Sequence, residues 1–269
     1  MWRRSPDTGG LKFMNKITEV FAGKKAFIPF ITAGDPDLPT TAELILAMQD
    51  AGADLIEIGI AFSDPVAEGP VIQGADNRSL AAGTTTDKIF DMVSSLRGQI
   101  HIPLVFMTYI NPIYVYGAEK FAGKCKECGV AGVIVPDVPF EERDEIKYIF
   151  ADYGLTVISM IAPTSADRVQ MIAREAEGFV YCVSSLGVTG VRTEISCGIK
   201  TLIDQVKEIK DIPCAIGFGI STPEQAKAMA AISDGVIVGS AIVKIVEEHG
   251  RNCVPYVREY VKAMKEAVL

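Results

Sequence analysis

Residues 54–60 read Asp54-Leu-Ile-Glu-Ile-Gly-Ile60, an apolar run interrupted only at its centre. A strand with one wet face alternates apolar and polar residues, whereas a strand of a parallel sheet is covered on both faces and loses that alternation. The run therefore predicts a buried parallel strand, with Glu57 as its exception. A carboxylate in such a place costs several kcal/mol unless an Arg or Lys pairs with it, or it keeps its proton with a raised pKa. A raised carboxyl pKa is what general acid–base chemistry near neutral pH requires. Glu68 follows on a Pro- and Gly-flanked loop, close enough in sequence to face the same cavity.

Outward from this strand, runs rich in Val, Ile and Phe recur at 26–32, 55–60, 103–109, 132–137, 156–162, 179–184, 213–219 and 235–240. Stretches of helical periodicity lie between most of them. Their start signals include Pro39-Thr-Thr-Ala-Glu-Leu, Thr164-Ser165 and Ser221-Thr-Pro-Glu224. Strand and helix repeated eight times predict an α/β fold, a single (β/α)8 TIM barrel. The alternative is an open doubly wound sheet, but no Gly-x-Gly-x-x-Gly follows the first strand. The intervals 61–102 and 185–212 are too long for one helix each. The first holds the acidic loop and an extra helix, the second a Gly/Thr loop before a helix from about 194. Insertions after strands fall on the C-terminal face, where barrels place their chemistry. Residues 1–13 read as a polar, disordered extension. The barrel domain covers 14–269, its first helix, starting at Met14-Asn-Lys-Ile-Thr-Glu-Val-Phe, closing the barrel bottom.

The 269 residues carry a net charge of −8 with no compensating Lys/Arg cluster, which argues against nucleic acid and acidic membrane partners. An anionic substrate would have to be held by local backbone donors. No apolar run reaches the ~18 residues of a membrane span. Arg3-Arg4 is followed by polar residues rather than an apolar run, so a cytoplasmic location with reduced thiols is expected. Cys125-Lys-Glu-Cys128 has CxxC spacing, but no second pair or nearby His completes a metal site. The pair reads as two cysteines on one face of a helix over 117–128, and no metal is expected. His101 and His249 lie away from the acidic motif, which argues against a His-based triad.

The seventh and eighth strands end Ile216-Gly-Phe-Gly-Ile-Ser221 and Val238-Gly-Ser-Ala-Ile242. Glycine lets the backbone approach an anion, and the N–H groups of a helix start bind it with help from the dipole. Gly219, Gly239 and Ser240 are candidate phosphate ligands, with Gly190 from the sixth loop as a fourth. The alternative for Gly-Ser is an ordinary helix cap.

Leu55-Ile-Glu-Ile-Gly-Ile-Ala-Phe-Ser-Asp-Pro-Val-Ala-Glu-Gly-Pro-Val-Ile-Gln73 closely resembles the signature of the tryptophan synthase α subunit family. So do Phe27-Ile-Pro-Phe-Ile-Thr-Ala-Gly-Asp-Pro36, Pro136-Asp-Val-Pro139, Gly187-Val-Thr-Gly190 and Asp234-Gly-Val-Ile-Val-Gly-Ser240. The resemblance implies a barrel that cleaves indole-3-glycerol phosphate to indole and glyceraldehyde 3-phosphate by a retro-aldol reaction. It implies that Glu57 is the general acid–base residue and that Glu68 stabilises the indole nitrogen. Tyr181 matches a tyrosine near that second acid. Thr189 matches the threonine of the loop that closes over substrate. Phe27, Met107 and Ile134 match walls of the indole pocket. Asp64 and Asp137 match residues linked to communication with a β subunit. That partner is expected to carry pyridoxal phosphate in an α2β2 heterotetramer, while this chain needs no cofactor.

The chain departs from the family pattern at two places, with Glu68 where Asp is usual and Ala61 where Pro is usual. A side chain one methylene longer moves a carboxylate by about 1 Å, enough to matter for a positioned reaction. Those departures are the features favouring a second reading, a protein that docks on β without cleaving substrate. A third, another phosphate-binding aldolase or isomerase barrel, would require a Schiff-base Lys or a metal cluster at the strand ends, and the sequence offers neither.

Overall fold

The computed structural model describes residues 16–183, 192–217 and 219–269. In chain order the strands are β1 (Ala26–Thr32), β2 (Ile56–Gly59), β3 (Leu104–Met107), β4 (Gly132–Ile134), β5 (Thr156–Val157), β6 (Ser159–Ile161), β7 (Val180–Val183), β8 (Cys214–Gly217) and β9 (Gly235–Val238). The helices are α1 (Lys16–Glu19), α2 (Leu38–Asp50), α3 (Pro70–Ala81), α4 (Thr86–Ser95), α5 (Ile110–Tyr116), α6 (Ala118–Cys128), α7 (Asp144–Asp152), α8 (Val169–Glu175), α9 (Arg192–Ile209), α10 (Pro223–Ala230), α11 (Ser240–His249) and α12 (Val254–Val268).

Among the described residues, the strands form one sheet in the order β5-β4-β3-β2-β1-β9-β8-β7-β6, with every described pairing parallel. β5 and β6 are successive halves of one extended stretch. The first half pairs with β4 and the second with β7. Ile158, between them, still donates its N–H to the Val133 carbonyl at 2.9 Å. This stretch closes the sheet, so the nine segments occupy the eight positions of a (β/α)8 barrel.

Side chains alternate across the wall. Ala26, Ile28 and Phe30 of β1 join Leu55, Val105, Met107, Ile134, Ile158, Phe179, Tyr181, Ala215 and Ile237 in an inner cluster. Phe27 and Ile31 belong to the larger outer cluster, packed between wall and helices. The placement of Phe27 in the indole pocket is thereby corrected. Period-two alternation turns it outward, and Phe30 occupies the inner face instead.

Local start signals explain most helix boundaries. The Asp37 carboxylate accepts from Thr40 N–H at 2.8 Å ahead of α2, and Thr222 and Gln225 form a reciprocal cap on α10. The signal at Thr164-Ser165 instead produces a 3-10 turn over Pro163–Arg168 before α8, as the Ser165 hydroxyl accepts from Ala162 N–H at 3.2 Å. α3 and α4 fill the long interval 61–102, and α5 is a further helix not read from the sequence. Cys125 and Cys128 lie on the buried face of α6, with the Cys128 thiol donating to the Phe90 carbonyl. The extension expected at 1–13 lies outside the described residues.

Ile17 and Phe21 plug the N-terminal end of the barrel, and the Phe21 ring meets Phe179 at 5.5 Å. Beside them Asp54, 5 % exposed, receives Lys24 at 2.5 Å, Lys265 of α12 at 2.7 Å and Phe27 N–H at 2.8 Å. This clasp ties the segment before β2 to the start of β1 and to α12. Removing one member of a buried ion pair costs about 3–5 kcal/mol. Asp54→Ala is therefore expected to lower the unfolding free energy by about 3 kcal/mol in urea titrations, and Asp54→Asn, which still accepts from Phe27, by less. A change under about 1 kcal/mol in Asp54→Ala would show that the clasp is not a stability element.

Candidate active site

The C-terminal mouth of the barrel collects the predicted acids. Glu57 points inward from β2, in register with Phe30 on one side and Val105 on the other. It is 1 % exposed, and neither carboxyl oxygen has a hydrogen-bond partner among the described residues. No described Arg or Lys pairs with it, as the alternative reading would require. Burial, reinforced by the charge of Glu68, pushes its pKa up to about 8.

Tyr181 projects inward from β7, and burial followed by the charge of Glu57 holds its phenol strongly protonated. Of the two acids, Glu57 is the one whose charge acts on this phenol. Room for the ring comes from Gly217 on the adjacent strand, where a Cβ would stand 2.3 Å from the Tyr181 hydroxyl. Gly59 serves Phe30 in the same way, since a Cβ there would stand 2.7 Å from the ring tip. Met107 and Ile134 line the same inner face.

Glu68 sits at the end of the loop that follows β2, immediately before Gly69, the N-cap of α3. Its carboxyl is half-buried and faces two groups absent from the sequence reading, Asp76 and Tyr109. Burial raises its pKa, and hydrogen bonding to these two groups opposes that rise. Its Oε2 is closed from solvent without a well-formed hydrogen bond. Asp76, 4 % exposed on α3, is pushed up to about 8 by burial first and then by the neighbouring Glu68. Tyr109 follows β3; its hydroxyl accepts from Ala67 N–H at 3.0 Å and its ring meets Phe62 at 5.4 Å. Asp76 was detectable, because with Ile72, Ala75 and Ser79 it completes an i, i+3, i+4, i+7 buried stripe. An acid in an apolar stripe is the signal that singled out Glu57.

The remaining candidates divide. Asp137 accepts from Ile110 N–H at 3.0 and 3.2 Å and so fixes the start of α5. Asp64 is exposed on the loop after β2, where the Ser63 hydroxyl donates to it at 2.6 Å. Gly239 and Ser240 open α11 at the mouth, and no side chain caps that helix start. Gly219 lies beyond β8 with φ +74°, a conformation suited to glycine. Thr189 and Gly190 lie outside the described residues. A cavity of about 370 Å3 borders the loop at Ala67 and runs along Met107, Met160 and Val183 to Arg143 between α7 and α8. Its described lining passes beside the acids and includes neither Glu57 nor Glu68.

The family described as tryptophan synthase alpha chain matches residues 18–269. The tryptophan synthase alpha chain of Lacticaseibacillus casei is 47% identical over 255 residues, covering 95% of this chain and 96% of that one. That of Lactiplantibacillus plantarum is 46% identical over 256 residues, covering 95% and 97%. Among solved structures, tryptophan synthase subunit alpha from Legionella pneumophila superposes with a TM-score of 0.86 at 36% identity, covering 95% of this chain and 98% of that chain. A tryptophan synthase from M. tuberculosis in an aminoacrylate-bound form gives 0.84 at 29% identity, covering 95% and 100%. With a closed barrel, a cluster of buried and half-buried acids at its mouth and these likenesses along nearly its whole length, the chain belongs to the tryptophan synthase alpha chain family.

Proposed function

We propose that Glu57 and Glu68 are the acid–base machinery for the family's reaction, cleavage of indole-3-glycerol phosphate to indole and glyceraldehyde 3-phosphate. The observation that carries this reading is Glu57 itself, a buried carboxyl inside a barrel strand without a partner among the described residues. Cleavage needs a proton delivered to indole C3 and one removed from the glycerol hydroxyl, while positive charge develops at the ring nitrogen. A carboxyl with pKa about 8 keeps its proton at neutral pH, so Glu57 is suited to protonate C3 and then to accept the hydroxyl proton. Ionised Glu68 holds the ring N–H and balances the developing charge. Tyr181 stands close enough to sense the Glu57 charge, and its hydroxyl is assigned to orient the substrate beside that carboxyl.

Met107 and Ile134 supply apolar walls for the indole, with Phe30 in the role expected of Phe27. The phosphate is assigned to Gly219, Gly239, Ser240 and Gly190, supported by the uncapped start of α11. The family's loop-closure role is assigned to Thr189. The chain needs no cofactor, because moving protons across this bond requires no electron sink.

The released indole passes to a tryptophan synthase β subunit carrying pyridoxal phosphate, in a cytoplasmic α2β2 assembly. Exposed Val66, Tyr114 and Val115, beside Asp64 and Asp137, supply an apolar docking face for that partner. No helix among the described residues is long and apolar enough to cross a membrane.

Indole release from indole-3-glycerol phosphate, measured with and without β, tests these assignments. Glu57→Gln is expected to lower kcat by at least about 100-fold while substrate still binds; near-normal turnover would remove its role. In the parent enzyme, kcat/KM should fall as pH rises through about 8, where Glu57 loses its proton. Because its folded pKa lies above the unfolded one, Glu57 also makes stability decline from about pH 4.5 to 8. Glu57→Gln should remove that decline in urea titrations at the two ends of the range. Glu68→Asp should retain activity and Glu68→Ala lose it; an active Glu68→Ala would leave a one-acid mechanism.

A further inference from the structure

Asp76 has no part in the reaction as described, yet it is a buried acid in contact with a proposed catalytic one. We propose that Asp76 is a positioning residue for Glu68, holding that carboxyl through a shared proton and anchoring the loop that carries it. This rests on the assignment of Glu68 as the second acid.

The geometry begins with the loop between β2 and α3. At its first turn the Phe62 backbone lies against Asp76, and its last residue, Glu68, meets the same Asp76 carboxyl through its side chain. Between them Ala67 N–H donates to the Tyr109 hydroxyl at 3.0 Å, and Gln73 donates to the Glu68 carbonyl at 2.8 Å. Asp76 thus ties both ends of the loop to one residue of a rigid helix. A glutamate side chain has three torsions, and without a second anchor its carboxylate would spread over several rotamers. Held at one oxygen, it presents the other at a fixed place, which is what a positioned reaction needs.

The charges around the pair require the proton. Arg78, two residues along the same helix, is committed elsewhere: its Nε and Nη2 donate to Asp35 at 2.8 and 2.9 Å, and its Nη1 to Glu247 of α11 at 2.9 Å. Among the described residues, the other groups facing the pair are Asp35 beyond β1, Glu57 of β2 and the Tyr109 phenol after β3. None of these supplies a positive charge. Among the described residues no cation faces the pair, and two adjacent desolvated carboxyls then retain one proton between them, the proton that joins them. The pair then carries a single negative charge, directed from Glu68 toward the site. When the shared proton leaves in alkaline solution, the two carboxylates repel and Glu68 is released.

The test uses the full chain assembled with a β subunit and reads pH profiles of indole release for Asp76→Asn, Asp76→Ala and Glu68→Ala. Asp76→Asn keeps a hydrogen-bond donor that cannot ionise. It should hold kcat within about threefold of the parent, while its alkaline limb becomes shallower, from two protons toward the one belonging to Glu57. Asp76→Ala should lose at least tenfold in kcat with a smaller change in KM. A folded Asp76→Ala with parent kcat, or an Asp76→Asn with an unmoved alkaline limb, would overturn the proposal. An inactive Glu68→Ala beside unaffected Asp76 variants would overturn it alone, whereas an active Glu68→Ala would remove the assignment on which it rests.

Discussion

Parallel strands closed into a barrel send every second side chain into an interior of fixed size, so each large inner residue must be matched by a small one beside it. Gly59 and Gly217 are those small residues at the mouth, lying under the Phe30 and Tyr181 rings. Below them the space is filled by aliphatic side chains and closed by Ile17 and Phe21. Glu57 stands at the boundary between filled core and open mouth. It is deep enough to be desolvated, and the glycines hold the tyrosine ring close enough for the two groups to sense each other. Packing and acid–base chemistry are thus set by the same steric matching.

Asp54 and Glu57 make a comparison within one strand region. Both are almost fully buried acids. Asp54, at the N-terminal end, receives two lysines and a backbone N–H and behaves as a structural fastening. Glu57, three residues on inside β2, receives nothing among the described residues and keeps a high affinity for its proton. A paired carboxylate has its free energy satisfied by the fold, so it has little left to exchange with a substrate. An unpaired one costs stability, and that cost is what makes it reactive near neutral pH. The overall charge of −8 does not distinguish them; local pairing does.

Much of this was legible in the residues because burial on both faces leaves a strong mark. All eight apolar runs became barrel strands, and Glu57 stood out against its run. The same continuity concealed the parity of the first strand. Phe27 and Phe30 sit in a stretch apolar at every position, so only the fold shows which of them turns inward. The break between β5 and β6 was hidden for a related reason: residues 156–162 read as one strand, and its change of partner depends on its neighbours' register. Tyr109 gave no sequence signal, because its contact with Ala67 joins segments far apart in the chain. Asp76 did leave a signal, but in a helical period rather than a strand one.

The loop between β2 and α3 combines a fixed base with an exposed tip. Phe62 packs on the Tyr109 ring and lies against Asp76, and Ala67 and Glu68 are held by Tyr109, Gln73 and Asp76. Between these anchors Ser63, Asp64 and Val66 face solvent, and Val66 is 79 % exposed. Catalysis needs the acid at the base to stay within a fraction of an ångström of its working place. Recognition at the surface needs side chains free to adapt to another molecule. A short segment pinned on both sides meets the two demands together, since adjustment at Val66 reaches Glu68 only through residues whose backbone is already bonded to rigid elements. The buried face of α3 and the end of β3 therefore matter to the chemistry as much as the strand that carries Glu57.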